Sequence, residues 1–239
     1  MQRLFVGGLA GFIRGAGAGT SQAFLVDADY RQGSILIWNN TGSLRTGGAA
    51  GGFFGSDSNT TNNSVSLYRC FVAGNVIAQR NSTRTIYAGG LIGQKTRGGT
   101  LQNNAALGAS ITVTNTSTNS TTRYIGRILG GYDTGYEVTL TGNRAFNGMR
   151  LLQSGIYSDG NPQGSTVSTG AADNKDGLDA NLGNFHDRSF WGNVTGSAGL
   201  GFNSATVWIF STVESRGHPI LRGAPLLGGG INPAPLGGQ

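Results

Sequence analysis

A glycine-centred pattern recurs four times in this chain and leaves few folds open to it. It reads aromatic or polar, small or apolar, Gly, any residue, two small or apolar residues, Gly. The copies are Phe5-Val6-Gly7-Gly8-Leu9-Ala10-Gly11, Thr46-Gly47-Gly48-Ala49-Ala50-Gly51, Tyr87-Ala88-Gly89-Gly90-Leu91-Ile92-Gly93 and Tyr124-Ile125-Gly126-Arg127-Ile128-Leu129-Gly130. Their first glycines, Gly7, Gly47, Gly89 and Gly126, are 40, 42 and 37 residues apart. After each copy a short strand-like run leads into Gly42, Gly74, Gly108 or Gly148, at intervals of 35, 27, 19 and 22 residues. The parts keep their order while the joining segments change length. Each unit offers two or three short strands that cannot bury an apolar face alone. Stacking the units gives a continuous core and pairs backbone groups from one unit to the next. Gly at fixed places supplies the corners and lets neighbouring backbones approach closely.

Composition agrees with strands rather than helices. Gly supplies 43 of 239 residues, well over the ordinary share of about 7%, and disfavours long helices. Apolar runs such as Leu4-Phe5-Val6, Ile35-Leu36-Ile37, Phe71-Val72 and Val207-Trp208-Ile209-Phe210 argue for a folded chain, although Ser, Thr and Asn are abundant. The expected fold is all-β: a β-solenoid, β-helix-like, of stacked Gly-rich repeats with a C-terminal capping module. Residues 1–157 form the repeat array, with units starting near 5, 45, 87 and 124. Residues 158–223 form an acidic turn and a Trp-containing closing module, and 224–239 a Gly/Pro-rich tail in which Pro233 and Pro235 lack donors. Segments Ser56–Ser64 and Thr114–Thr122 are expected as loops expelled on one side. A sandwich or barrel, with glycines marking hairpin turns, is the competing arrangement.

The unit Tyr87-Ala88-Gly89-Gly90-Leu91-Ile92-Gly93, followed by Gly98-Gly99-Thr100-Leu101-Gln102-Asn103 and Ala106-Leu107-Gly108, resembles the GLUG repeat of large bacterial surface and secreted proteins. Ser189-Phe190-Trp191, Gly199-Leu200-Gly201-Phe202, Trp208-Ile209-Phe210 and Pro219-Ile220-Leu221 are similar to the closing module that follows such repeats. The likeness spans roughly residues 4–223. Arg127 stands where the pattern has Gly, so the fourth unit is expected to turn differently there. The resemblance implies a stacked β architecture and surface display, and no catalytic residues.

The formal charge is +6. Residues 1–150 hold thirteen basic and five acidic side chains, residues 151–239 four and six, an asymmetry that suits head-to-tail contact between subunits. The basic residues are neither clustered nor interleaved with aromatics, which speaks against nucleic acid. Cys70 is alone in the sequence, so it makes no intrachain disulfide and reads as a small buried hydrophobe. No apolar stretch is long enough to span a bilayer. The stretch Arg3 to Ile13 has a signal-peptide look, but its Gly-Gly-Leu-Ala-Gly core recurs inside the chain.

Candidate chemistry is sparse. The neutral-pH bases are His186, placed in a loop, and His218, placed in the closing strand beside Pro219. Two histidines do not by themselves make a strong zinc site. Asp27 and Asp29 alternate along Phe24–Tyr30, so on one strand they face the same way, as a paired-acid glycosidase, a lyase or a calcium site would need. Asp173, Asp176, Gly177 and Asp179 hint at a calcium loop, but Ala172 and Gly183 occupy the first and twelfth ligand positions, so the EF-hand spacing fails. Thr112, Thr114, Thr116 and Thr118 make one threonine row in one unit, where an ice-binding array needs the row on successive coils. Seven Asn-x-Ser/Thr sequons, at Asn39, Asn59, Asn62, Asn81, Asn115, Asn119 and Asn193, would accept glycans if the chain were exported into a glycosylating compartment.

The expected protein is therefore an extracellular or cell-surface structural element. It would display polar loops for adhesion or assemble into a fibre, binding copies of itself, neighbouring surface proteins or glycans. No catalytic, cofactor-binding or metal-binding residue is assigned. The alternatives are a polysaccharide-binding module using surface Tyr, Trp and Asn, and a β-helical polysaccharide lyase or hydrolase.

Overall fold

The computed structural model describes residues 3–7, 10–13, 22–26, 29–30, 34–39, 47–57, 64–80, 85–95, 98–115, 123–132, 138–155, 175–192 and 199–222. For the strands before residue 51 and at a few later strand ends it describes the backbone alone.

Strands follow one another in rounds of five. The first round is β1 (Arg3–Gly7), β2 (Ala10–Ile13), β3 (Gln22–Val26), β4 (Asp29–Tyr30) and β5 (Ser34–Asn39). The second is β6 (Gly47–Gly51), β7 (Phe54–Asp57), β8 (Ser64–Tyr68), β9 (Phe71–Val72) and β10 (Asn75–Arg80). The third is β11 (Ile86–Gly89), β12 (Ile92–Lys95), β13 (Gly99–Gln102), β14 (Ala105–Ala106) and β15 (Ser110–Asn115). The fourth is β16 (Arg123–Gly126), β17 (Leu129–Tyr132), β18 (Val138–Thr141), β19 (Arg144–Phe146) and β20 (Arg150–Gly155). After it come β21 (Leu178–Ala180), the short helices α1 (Leu182–Phe185) and α2 (Arg188–Trp191), then β22 (Trp208–Ile209), α3 (Val213–Arg216) and β23 (Ile220–Leu221).

Every strand of a round pairs with the strand five places later. The sheets run β1-β6-β11-β16, β2-β7-β12-β17, β3-β8-β13-β18, β4-β9-β14-β19-β21 and β5-β10-β15-β20. Among the described residues all pairing in these five sheets is parallel, while β22 and β23 pair antiparallel. Parallel neighbours cannot be joined by two-residue hairpins, so the glycines do not mark the hairpins of a sandwich.

The register explains the composition. Leu25, Leu67, Leu101 and Leu140 are partners in successive strands, and Leu67 and Leu101 are fully buried. Ile35, Val76, Ile111 and Leu151 form a second column. Along β15 the buried Ile111 and Val113 alternate with the half-buried Thr112 and Thr114, the period-two pattern of a strand with one face in the core. Each buried Leu, Ile or Val contributes about 1.5–3 kcal/mol, and stacking like on like makes the core continuous.

Three of the five corners are short in every round. Two residues join the first strand to the second and the third to the fourth; two or three join the fourth to the fifth. The first corner carries the repeat motif. Gly7, Gly51, Gly89 and Gly126 are register partners. A Cβ on Gly89 would lie 2.0 Å from the Ile92 carbonyl oxygen and 2.4 Å from the Gly130 nitrogen, so backbone packs on backbone and only Gly fits. This register corrects the second copy of the pattern. Its corner is Gly51-Gly52-Phe53-Phe54-Gly55, four residues beyond the alignment on Gly47, so the unit begins near 49 rather than 45. Gly42 likewise lies outside the described residues. The residue before β5 is Gly33, as Gly74 precedes β10.

The second short corner uses different chemistry. Arg69, Asn103 and Gly142 occupy equivalent places, each with positive φ (51°, 55° and 63°), a conformation that Gly and Asn tolerate best. The next residues are Cys70, Asn104 and Asn143, all buried. The Asn104 amide donates to the Asn143 side-chain oxygen (2.9 Å) and to the Leu67 carbonyl (3.0 Å). The Asn104 oxygen accepts from the Cys70 N–H (3.0 Å), and the Asn143 amide donates to the Leu101 carbonyl (2.6 Å). A buried polar ladder thus satisfies backbone groups that the turn would otherwise strand. These corners also split runs that the sequence suggests are continuous: Leu67–Val76 is three strands, and Phe24–Tyr30 is two.

The closing segment does two things. Residues 175–180 extend the stack: the Lys175 carbonyl accepts from the N–H groups of Ile128 (2.9 Å) and Leu129 (3.0 Å), and β21 pairs with β19. Residues 182–192 and 199–222 then lie along the outer face of the fourth sheet. There Phe71, Ala105 and Leu107 join Phe185, Trp191, Leu200, Phe202, Trp208 and Val213 in one buried cluster. Phe71 is its centre, with ring centroids 5.2 Å from Trp191, 5.8 Å from Trp208 and 5.3 Å from His218.

Candidate functional site

Connections longer than three residues occur at two corners. Between the second and third strands the connections are residues 14–21, 58–63, 96–98 and 133–137; between rounds they are 40–46, 81–85 and 116–122. The segments expected as loops are therefore shorter than anticipated, since Ser56 and Ser64 lie in β7 and β8, and Thr114 in β15. The two corners adjoin. The first and second strands of a round fold back on each other across the glycine corner, and a Cβ on Gly131 in β17 would lie 3.1 Å from the Cβ of Tyr124 in β16. The chain therefore enters β16 beside the place where it leaves β17.

Tyrosines mark this edge. Tyr87 and Tyr124 are register partners and stack at 5.0 Å with 13° between their planes. Tyr124 is 45% and Tyr132 51% exposed. Gly131 leaves room for the Tyr87 ring, whose Cδ1 would stand 3.0 Å from a Cβ at that position. The equivalence of Tyr87-Ala88-Gly89 with Tyr124-Ile125-Gly126 is the sequence signal for the stacked pair. The tryptophans do not share this surface: Trp191 and Trp208 are fully buried, and the Trp38 side chain lies outside the described residues.

Arg127 keeps the turn of the third unit, contrary to the expectation drawn from its departure from Gly. Its carbonyl accepts from Gly90 N–H (3.1 Å), and Ile128 accepts from Leu91 N–H (3.0 Å). What changes is the side chain. Fully buried, the guanidinium reaches the closing segment, donating to the carbonyls of Asp176 (3.0 Å), Gly177 (2.9 Å) and Phe146 (3.3 Å). It also pairs with Asp179 at 2.7 Å, while the Asp176 carboxylate accepts from the Arg127 N–H (3.0 Å). The two described acids of the supposed calcium loop thus face an arginine. Asp173 lies outside the described residues, and among those residues no group of three or more His, Cys, Asp or Glu is placed to hold a metal.

The other candidates are dispersed. Asp29 sits in β4, in a different sheet from β3, and Asp27 lies outside the described residues, so the two carboxylates do not share one strand. His218 is buried against Phe71, its Nδ1 2.8 Å from the Pro219 carbonyl. His186 ends α1 rather than sitting in an open loop, and its Nδ1 lies 2.8 Å from the Glu214 carbonyl. Cys70 is buried, with its thiol 3.2 Å from the Tyr68 carbonyl. The threonine row does not recur: Thr112 is flanked by Ile77 and Leu152, and Thr114 by Gln79 and Ser154, while Thr116 and Thr118 lie outside the described residues. Of the sequons, Asn39 and Asn115 end strands, and the other five asparagines lie outside the described residues. No helix among the described residues is long and apolar enough to cross a membrane.

A polar cleft of ≈ 200 Å³ opens between the outer face of the fourth sheet and the closing segment, lined by Arg144, Asp179, Asn184, Asp187, Ser189 and Phe190. Asp187 caps α2, accepting from Ser189 N–H (2.8 Å) and from its hydroxyl (2.7 Å). The Ser189 hydroxyl, and secondarily its N–H, hold the Asp187 carboxyl below its ordinary range. Arg188 does the same for Glu214 across the surface, donating at 3.0 Å. Sequence reading passed over this cleft because its walls come from separate segments. No family model, no curated protein and no solved structure matches this chain.

Proposed function

We propose that the five parallel sheets are the walls of a β-solenoid of four coils, and that the protein is an extracellular structural element displaying polar loops. The carrying observation is the step of five strands that pairs the four rounds in all five sheets, with β21 added at the end of one of them, and the in-register columns. Three tight corners build the scaffold, and two adjoining corners accept insertions of changing length, Asn/Ser/Thr-rich at 40–46, 58–63, 81–85 and 116–122. Such a division separates a rigid support from a surface free to vary, the arrangement used where loops meet partners. The likeness of residues 87–112 to the GLUG repeat belongs to this proposal.

Four coils at the parallel strand spacing of about 4.8 Å put roughly 14 Å between the first and the last, so these four coils form a short block. Labelling of intact source cells with antibody to the purified protein, with and without external protease, tests the surface assignment. Protease-sensitive surface signal is expected, and signal found only after lysis overturns it. Electron microscopy of concentrated protein then separates a fibre subunit, which gives filaments, from an adhesin segment, which gives discrete particles.

A second reading, polysaccharide binding on the flank, is favoured by the stacked Tyr87–Tyr124 pair and the exposed Tyr132 beside it, since aromatic faces pack well against sugar C–H groups. The third, a lyase or hydrolase, has only the Asp179 and Asp187 carboxylates of the cleft to recommend it, and Asp179 is engaged by Arg127.

A further inference from the structure

From the cleft between the coil flank and the closing segment we infer a binding site for one neutral saccharide ring; the inference rests on the display reading and names a ligand class for it. The lining sets the class by elimination. Asp179 and Asp187 bring two carboxylates to a small space, which opposes phosphate and other anions. Arg144, in the same lining, opposes a bare metal cation. A neutral ligand with many hydroxyls suits both, because each hydroxyl donates to one group and accepts from another.

The donors and acceptors are arranged for that use. Asp187 holds the Ser189 N–H on one oxygen and the Ser189 hydroxyl on the other, leaving each oxygen a further lone pair and keeping the carboxylate ionised and fixed. The Asn184 side-chain oxygen accepts from Asn181 N–H (2.8 Å), which fixes the amide so that its NH₂ faces outward as a donor. Asp179 spends one oxygen on Arg127 and is half exposed. Half-buried Phe190 supplies the apolar wall, held edge-on to Trp191 at 5.2 Å and to Phe185 at 5.7 Å. A planar ring next to converging carboxylate, amide and guanidinium groups matches a pyranose, with polar rim and C–H face. At ≈ 200 Å³ the cleft is below the about 300–1,000 Å³ of pockets for larger ligands, so one ring fits and a chain would continue outside.

The test is a titration of the ¹⁵N-labelled whole chain with glucose, galactose, mannose and N-acetylglucosamine, run beside sodium phosphate and calcium chloride. At least one sugar is expected to shift the Asn184 and Ser189 amides saturably, with the roughly millimolar affinity of a small ligand. Asp187→Asn keeps a good helix cap and is expected to weaken binding at least about tenfold, as a lost charge-assisted bond does; Asp179→Asn repeats the test from the other wall. Thr139→Ala, at an exposed position outside the cleft lining, should leave the titration unchanged. The inference is overturned if no sugar shifts these amides by about 100 mM, far past that affinity. It is equally overturned if phosphate or calcium shifts them in place of sugar, or if both folded variants bind like the parent. Adhesion that persists with an empty cleft removes this inference alone, whereas saturable sugar binding by a protein confined to the cell interior removes the display reading alone.

Discussion

The rounds of parallel strands and the closing segment reach order by opposite routes. In the rounds, equivalent residues pair with themselves: glycine with glycine at the first corner, Leu67 with Leu101 with Leu140 within, and Asn104 with Asn143 at the second corner. The closing segment has no repeat and few ladder bonds. It is held by Trp191 packed edge to face on Phe71 and Phe202, by Trp208 tilted against Phe202, and by side-chain caps such as the reciprocal pair Asn181 and Asn184. Backbone pairing tolerates loops of any length between its corners, whereas an aromatic cluster tolerates almost no change in its members. A scaffold can therefore vary its loops freely only if something else fixes its end, and Arg127 ties that end to the last coil.

The contrast can be broken from either side. The largest effect is expected from Gly89→Val. No rotation relieves a Cβ 2.0 Å from a carbonyl oxygen, so the loss should exceed about 4 kcal/mol, read as failure of the whole chain to show a cooperative urea transition. Next comes Trp191→Ala, expected to cost about 3–5 kcal/mol but locally: Trp208 fluorescence should lose its buried signature while the strand circular dichroism persists. Loss of both signals together would show that coils and closing segment fold as one unit. Arg127→Gly restores the repeat pattern yet removes charge-assisted bonds to Asp176 and Gly177, worth about 1.5–3 kcal/mol each. Faster proteolysis within 175–222, with the coils protected, is expected. Asn104→Ala should cost about 1–3 kcal/mol by stranding the Cys70 N–H and the Leu67 carbonyl, measured by denaturant midpoint.

The smallest effect is on pH. Hydrogen bonds from Ser189 lower the Asp187 carboxyl from its ordinary value of 3.8. A depressed folded value stabilises the native state above the unfolded value, and that contribution is lost as pH falls through the folded one. Trp-monitored melting of the closing segment should therefore weaken only below about pH 4, and Asp187→Asn should flatten that fall.

Much of the strand region was legible because its rules are local. Gly-Gly-apolar-apolar-Gly at 89–93 marks a corner where Cβ atoms cannot enter, and the polar insertions mark where the joining segments change length. The second unit misled because Gly47-Gly48-Ala49-Ala50-Gly51 and Gly51-Gly52-Phe53-Phe54-Gly55 both fit the motif, and only packing against the neighbouring coils selects the latter. The Leu-x-x-Asn corner, plain in Leu101–Asn104 and Leu140–Asn143, is masked in the second coil, where Cys70 takes the Asn place. The cleft was not legible: Arg144, Asp179, Asp187 and Phe190 meet through an aromatic docking that no periodicity encodes.

Cross-linking of paired cysteines tests the coil order most directly. In a chain with Cys70→Ala, cysteines at Ile77 and Thr112, or at Thr112 and Leu152, occupy register partners on adjacent strands, within the about 4.4–6.8 Å that a disulfide bridges. Both pairs should oxidise readily, while cysteines at Ile77 and Leu152, two coils apart, should not. Fast bridging of that last pair, or none in the first two, would contradict the stacked coils.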